Sequence, residues 1–100
     1  MRKAGISESD LKAALRAGAR VRRVLVVQRS NEKPFVPCLR FVSAGQWLVL
    51  RMRRYEGSRA WHSFQALQEF LANDVGWRGP VWVCREEDPF LTRLPGIVDL

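Results

Sequence analysis

One hundred residues suffice for one compact domain and leave no room for a second. With 47% hydrophobic and 27% charged residues, the chain can bury a core and falls outside the disordered class, and no run reaches the roughly 18 apolar residues of a membrane helix. Met1-Arg2-Lys3 has the charge of a signal peptide, but Ser7, Glu8, Ser9, Asp10 and Lys12 stand where its apolar stretch belongs. The expectation is a soluble cytoplasmic protein without a membrane partner.

Ser7-Glu8-Ser9-Asp10 precedes Leu11, Ala14 and Leu15. Ser and Asp side chains accept hydrogen bonds from the open amides of a first turn, so the spacing predicts a helix over 9–17, ended by Gly18. Its narrow apolar face is wide enough to cover the edge of a sheet. Val21 to Val27 is a β-branched strand run closed by Ser30-Asn31-Glu32-Lys33-Pro34, and the consecutive apolar residues Val24-Leu25-Val26-Val27 predict burial on both faces. A second strand runs from Val36 to Val42, with Leu39 and Phe41 on one face and Cys38 and Arg40 on the other. Pro37 puts its early part at an edge or strand start. Ser43-Ala44-Gly45 turns into a third strand, Gln46 to Arg54, where Leu48, Leu50 and Met52 share one face and Trp47, Val49, Arg51 and Arg53 the other.

Tyr55-Glu56-Gly57-Ser58 is a turn, and Arg59-Ala60-Trp61-His62 reads as a short fourth strand. Ser63 caps a helix from Phe64 to Asn73 with Phe64, Leu67, Phe70 and Leu71 on one side. Gly76-Trp77-Arg78-Gly79-Pro80 leads to a last strand, Val81 to Cys84. The tail over 85–100 has Pro89, Pro95 and Gly96 as breakers, yet carries Phe90, Leu91, Leu94, Ile97 and Val98. Those apolar residues need cover, either on their own domain or across a homodimer. The fold expected is a single α+β domain over 1–100 with a mainly antiparallel sheet of four to five strands. Its element order is α-β-β-β-β-α-β, with both helices on one sheet face.

Seventeen Lys and Arg against ten Asp and Glu give a net charge of +7. Fourteen of the seventeen are Arg, which binds phosphate or carboxylate in a bidentate way. Residues 1–63 carry +10 and residues 64–100 carry −3. Arg40, Trp47, Arg51 and Arg53 share one sheet face by alternation if Leu39, Phe41, Leu48, Leu50 and Met52 face the core. Arg20, Arg22 and Arg23 either extend that patch or guard a strand end against aggregation. Arg mixed with an aromatic on a strand face binds single-stranded nucleic acid, the ring stacking on a base and Arg meeting phosphate. A solvated face with Trp47 under Arg side chains is the alternative reading of the same residues, and no nucleic-acid signature motif accompanies them. Trp61, Trp77 and Trp82 read as core or core-rim.

Catalysis finds little to work with. His62 is the single histidine, and Glu86-Glu87-Asp88 is consecutive, so its members diverge rather than form an acid and base pair. Cys38 and Cys84 read as reduced, buried thiols, and with His62 they are too few for a structural zinc site. The reading is no enzyme, no metal and no cofactor.

Arg59-Ala60-Trp61-His62-Ser63-Phe64-Gln65-Ala66-Leu67-Gln68-Glu69-Phe70-Leu71, with Gly76 and then Val81-Trp82-Val83, resembles the strand, Ser-capped helix, Gly and strand of small partition-associated accessory proteins. Those proteins are carried on plasmids and other mobile elements. The resemblance covers roughly the last half of the chain, rests on Arg59, Trp61, Ser63 and Leu67, and transfers no site residue. It implies a non-enzymatic accessory of DNA segregation or maintenance. The functional expectation is therefore a small basic protein that binds nucleic acid or a nucleoprotein complex. The alternative is a protein-interaction module, such as a phage- or plasmid-encoded inhibitor or adaptor that docks its Arg-rich face on an acidic protein surface.

Overall fold

The run Val24-Leu25-Val26-Val27 forms the middle of β2 (Val21–Gln28) in the computed structural model, which describes residues 4–97 and 100. Met1, Arg2, Lys3 and Val98, invoked above, lie outside the described residues. β3 (Phe35–Phe41) runs antiparallel to β2, and β4 (Trp47–Arg51) antiparallel to β3. β5 (Val81–Arg85) lies parallel to β2 on its other side, and the two-residue β1 (Ile6–Ser7) lies parallel to β4. The result is an α+β domain with a mixed five-stranded sheet in the order β1-β4-β3-β2-β5 and two helices, α1 (Glu8–Arg16) and α2 (Phe64–Phe70).

Alternation along β2 sends Val24 and Val26 to one face and Leu25 and Val27 to the other, and all four are buried. The first face packs with Leu39 and Leu50 against Leu11 of α1 and against Leu67, Phe70 and Leu71, so both helices cover the same side of the sheet. Ser7 caps α1 by accepting from Asp10 N–H at 3.2 Å, and Ser63 caps α2 by accepting from Ala66 N–H at 3.2 Å. A π-helical turn over Leu71–Val75 prolongs α2, and Gly76 ends it at φ 79° in the left-handed region.

The second face carries Val36, Cys38, Trp47 and Val49 beside Leu25 and Val27, and the C-terminal segment covers it. A 3₁₀ turn over Pro89–Arg93, capped by Asp88, inserts Leu91; Leu94, Ile97 and Leu100 are half-buried against the same cluster. Pro95 C=O accepts from Trp47 N–H at 2.8 Å, and Gly96 sits so close to β4 that a Cβ there falls 2.2 Å from the Trp47 oxygen. The tail thus closes the free stretch of β4 at its start, while β1 pairs with the strand's end.

Three expectations need correction. β4 stops at Arg51 rather than Arg54, because Met52 N–H donates to Gly57 C=O and Tyr55 N–H to Met52 C=O, each at 2.8 Å, with Tyr55 at φ 60°. Met52 is 55% exposed and outside the core. Arg59–His62 makes no strand. Trp61 meets Phe35 in one isolated antiparallel bridge and lays its ring 4.7 Å from that of Phe70, so tertiary stacking replaces ladder pairing. The chain also opens with β1 ahead of α1, and the parallel pairs β1–β4 and β2–β5 make the sheet mixed. Gly5, at φ 137°, lets that segment approach the Val49 carbonyl to a distance no Cβ tolerates. Pro37 fits as read, because on that side β4 pairs only with Cys38–Arg40 and Trp61 bridges only Phe35, which leaves Pro37 without a ladder partner there.

Leu91 is buried, so Leu91→Ala is expected to destabilise by about 2–5 kcal/mol, read as a lower urea midpoint with an unchanged slope, whereas the exposed Phe90→Ala costs far less. Burial also pushes the Cys38 thiol from its ordinary 9.0 up to about 12, and raises that of the half-buried Cys84. The folded chain keeps the Cys38 proton where the unfolded chain has lost it, so stability declines as pH rises from 9 toward 12. Cys38→Ala is expected to flatten that decline in a series of melting temperatures against pH.

Candidate nucleic-acid interface

The strand register places Arg23 opposite Arg40 and Arg40 opposite Trp47, so these three share a row across β2, β3 and β4. Trp82 lies opposite Leu25, one step along from that row. All point to the side of the sheet that the tail covers. Like charges directly across a sheet repel, and the half-buried Arg40 keeps its Nε buried without a hydrogen-bond partner among the described residues. Trp47, expected on an open surface, is only 3% exposed, because the tail lies over it.

Arg51, expected beside it in solvent, is 0% exposed. Its Nε–H donates to Ala4 C=O at 2.7 Å, and its stem lies against Gly5, so it anchors the segment that enters β1. Arg53, past the end of β4, is exposed. Arg51, Arg53 and Arg59 line an open groove of about 490 Å³ together with Ser7, Glu8 and Ser9 at the start of α1. Glu8 is engaged there by Lys12 at 3.2 Å and by Arg59 at 3.7 Å, and Lys12 reaches Asp74 at 3.7 Å. Tyr55, buried in the adjoining turn, donates its hydroxyl to Asp10 and ties that turn to α1.

Arg22 and Arg23 stand at the diagonally opposite corner of the sheet, where the β2–β3 register shifts between Val21 and Arg23. Both are exposed. The Arg23 guanidinium carbon lies 5.0 Å from the centroid of the Trp82 ring, a cation–π contact, and Trp82 is 45% exposed. Trp77, half-buried, closes a shallow depression of about 130 Å³ with Arg22, Arg23, Pro80 and Trp82. Its Nε1–H donates to Pro80 C=O at 3.1 Å, which fixes the ring beside the exposed Arg78. Arg20 lines a neighbouring hollow against the same indole.

The six residues singled out from sequence are thus divided. Arg22 and Arg23 meet Trp82 at one corner, Arg51 and Arg53 share the groove at the other, and Arg40 and Trp47 lie between, half-buried and buried. Trp82 was expected in the core rim, but β5 is an edge strand and presents the ring to solvent. The signal that finds it is the alternation Val81-Trp82-Val83 once β5 is known to run parallel to β2. Among the described residues, no group of three His, Cys, Asp or Glu could hold a metal ion, and no helix is long and apolar enough to cross a membrane. Comparisons with protein-family models, curated proteins and solved structures find no match.

The burial difference separates the two groove arginines. Arg51→Ala is expected to lower stability by about 1.5–3 kcal/mol through loss of its charged hydrogen bond. Arg53→Ala is expected to stay within about 0.5 kcal/mol, both measured by chemical denaturation.

Proposed function

We propose that this protein is a non-enzymatic nucleic-acid-binding protein whose contact surface is the corner formed by Arg22, Arg23, Trp77, Arg78 and Trp82. The observation that carries the reading is the Arg23 guanidinium over the solvent-exposed Trp82 ring. A flat aromatic face accepts a base whatever its identity, and the cations around it take the flanking phosphates, which is the chemistry of sequence-tolerant binding to single strands. The +10 balance of residues 1–63 supplies long-range attraction for the same polyanion. The groove lined by Arg53 and Arg59 offers a further basic contact at the far corner. A role in DNA segregation or maintenance on a mobile element, as the resemblance implies, is one setting in which such a protein acts.

The test is fluorescence polarisation with a labelled single-stranded oligonucleotide across a salt series. Arg22→Glu with Arg23→Glu is expected to weaken binding and to reduce the slope of log affinity against log salt by about 0.7 per lost phosphate contact. Trp82→Ala is expected to cost about 1–3 kcal/mol with the slope kept, and Trp82→Phe to retain most of the affinity. Failure of naked oligonucleotide to bind, with nuclease-resistant capture of a host protein, supports instead the inhibitor or adaptor that docks on an acidic surface.

A further inference from the structure

β5 ends the sheet, with β2 on one side and, among the described residues, no strand on the other. Glu86 N–H donates to Gln28 C=O at 3.0 Å. In a parallel ladder a residue turns its N–H and C=O to the same side and its neighbours turn theirs to the opposite side, so Trp82 and Cys84 face β2 with Glu86. Val81, Val83 and Arg85 therefore direct their backbone groups away from the sheet, the Arg85 C=O already accepting from Asp88 N–H at 3.0 Å. Pro80 has the inward parity, so its missing N–H takes nothing from the open edge. The side chains add to this: Trp82 is 45% and Val83 48% exposed, two large apolar groups on opposite faces of an unpaired strand. An edge of this kind is a template for another strand.

We propose that a second copy of this chain pairs on the β5 edge, antiparallel, about a two-fold axis through Val83. Joining like edges by a two-fold closes the assembly at a dimer and leaves no further β5 edge to grow from. Val83 is the middle residue of Val81–Arg85, and an axis there pairs the whole strand. Val83 faces Val83 of the second copy, Val81 faces Arg85, and Trp82 faces Cys84. Beyond Arg85 the chain turns, with Asp88 N–H donating to Arg85 C=O at 3.0 Å, so the ladder ends there and the two-fold brings the Arg78 end of each strand toward the turn of the other.

Charge complementarity selects a copy of this same chain as the occupant. The strand is bounded by Arg78 before it and by Glu86-Glu87-Asp88 after it, and an antiparallel two-fold brings the basic end of each strand to the acidic end of the other. Glu86 is already held by Arg29 at 3.8 Å and by Ser30 N–H at 3.2 Å, and Asp88 caps the 3₁₀ turn by accepting from Phe90 N–H at 2.9 Å, so Glu87 is the carboxylate for this contact. The contact also belongs to residues 64–100, which carry −3, and not to the +10 portion that repels itself. The pairing adds backbone hydrogen bonds between Val83 residues and from Arg85 N–H to Val81 C=O, and it covers both Val83 side chains.

Sedimentation equilibrium over a concentration series tests the proposal directly. The expected mass doubles from the 11.5 kDa of one chain. Val83→Lys, which sets two ammonium groups face to face on the axis, is expected to return the monomer with unchanged circular dichroism, while Met52→Lys at another exposed apolar position leaves the dimer intact. Register is read by Trp82→Cys under a mild oxidant: a disulfide to Cys84 of the second copy is expected, and Cys84→Ser abolishes it. A monomer at every concentration, or a dimer that survives Val83→Lys, overturns the proposal. A cross-link that persists with Cys84→Ser overturns its register.

Discussion

The interaction on which the rest depends is the burial of Val24, Leu25, Val26 and Val27 in β2. Consecutive residues in a strand point to opposite faces, so an unbroken apolar run leaves hydrophobic surface on both sides of the sheet and requires two covers. The helices supply one, through Leu11, Leu67, Phe70 and Leu71. The other comes from a tail whose regular structure among the described residues is the single 3₁₀ turn Pro89–Arg93, and whose breakers let it follow the sheet surface. At about 25 cal/mol per Å² of apolar surface removed from water, such a cover contributes substantially against a total stability of roughly 5–15 kcal/mol. The segment beyond β5 is accordingly a structural element of the domain.

That second cover redistributes the charge. A sheet with one bare face could have displayed Arg40, Trp47, Arg51 and Arg53 as a continuous basic and aromatic surface. Covering it confines solvent-facing Arg chemistry to the corners and turns the remaining members into internal parts. Arg51 holds the segment entering β1, and Trp47 is overlaid by the tail, which joins β4 through the Trp47 amide. Arg40 stays half-buried opposite Arg23, its Nε without a hydrogen-bond partner among the described residues. The guanidinium groups left for a partner lie mainly where strands end, at Arg22, Arg23 and Arg78 beside Trp82, and at Arg53 and Arg59 beside the start of α1.

Edges follow the same logic. The edge beyond β4 is closed by β1 at one end and by the Pro95 carbonyl at the other, with Gly5 and Gly96 making close approaches that a Cβ would forbid. Among the described residues β5 is guarded only by the proline before it and by the turn after it, where Asp88 N–H takes the Arg85 carbonyl. The molecule therefore concentrates its unsatisfied backbone, its exposed Trp82 and Val83, and its nearest cationic groups at one side of the sheet.

The amino-acid sequence by itself determined the local elements: the Ser-capped helices, the β-branched core of β2, the β3–β4 hairpin and the last strand. Caps, turns and alternation are properties of neighbours along the chain. It also determined the polarity of each strand face, since Leu48 and Leu50 do oppose Trp47, Val49 and Arg51. Only the tertiary structure decided which faces met water. Parity says that Trp47 and Arg51 lie together; it does not say that residues 89–97 will fold across one and Ala4 will approach the other. The same limit hid β1, too short to show a period, and made Arg59–His62 resemble a strand when stacking of Trp61 on Phe70 holds it. Trp82 was misplaced for this reason as well, because its exposure depends on β5 standing at the edge, and strand order is set by long-range packing that no local pattern records.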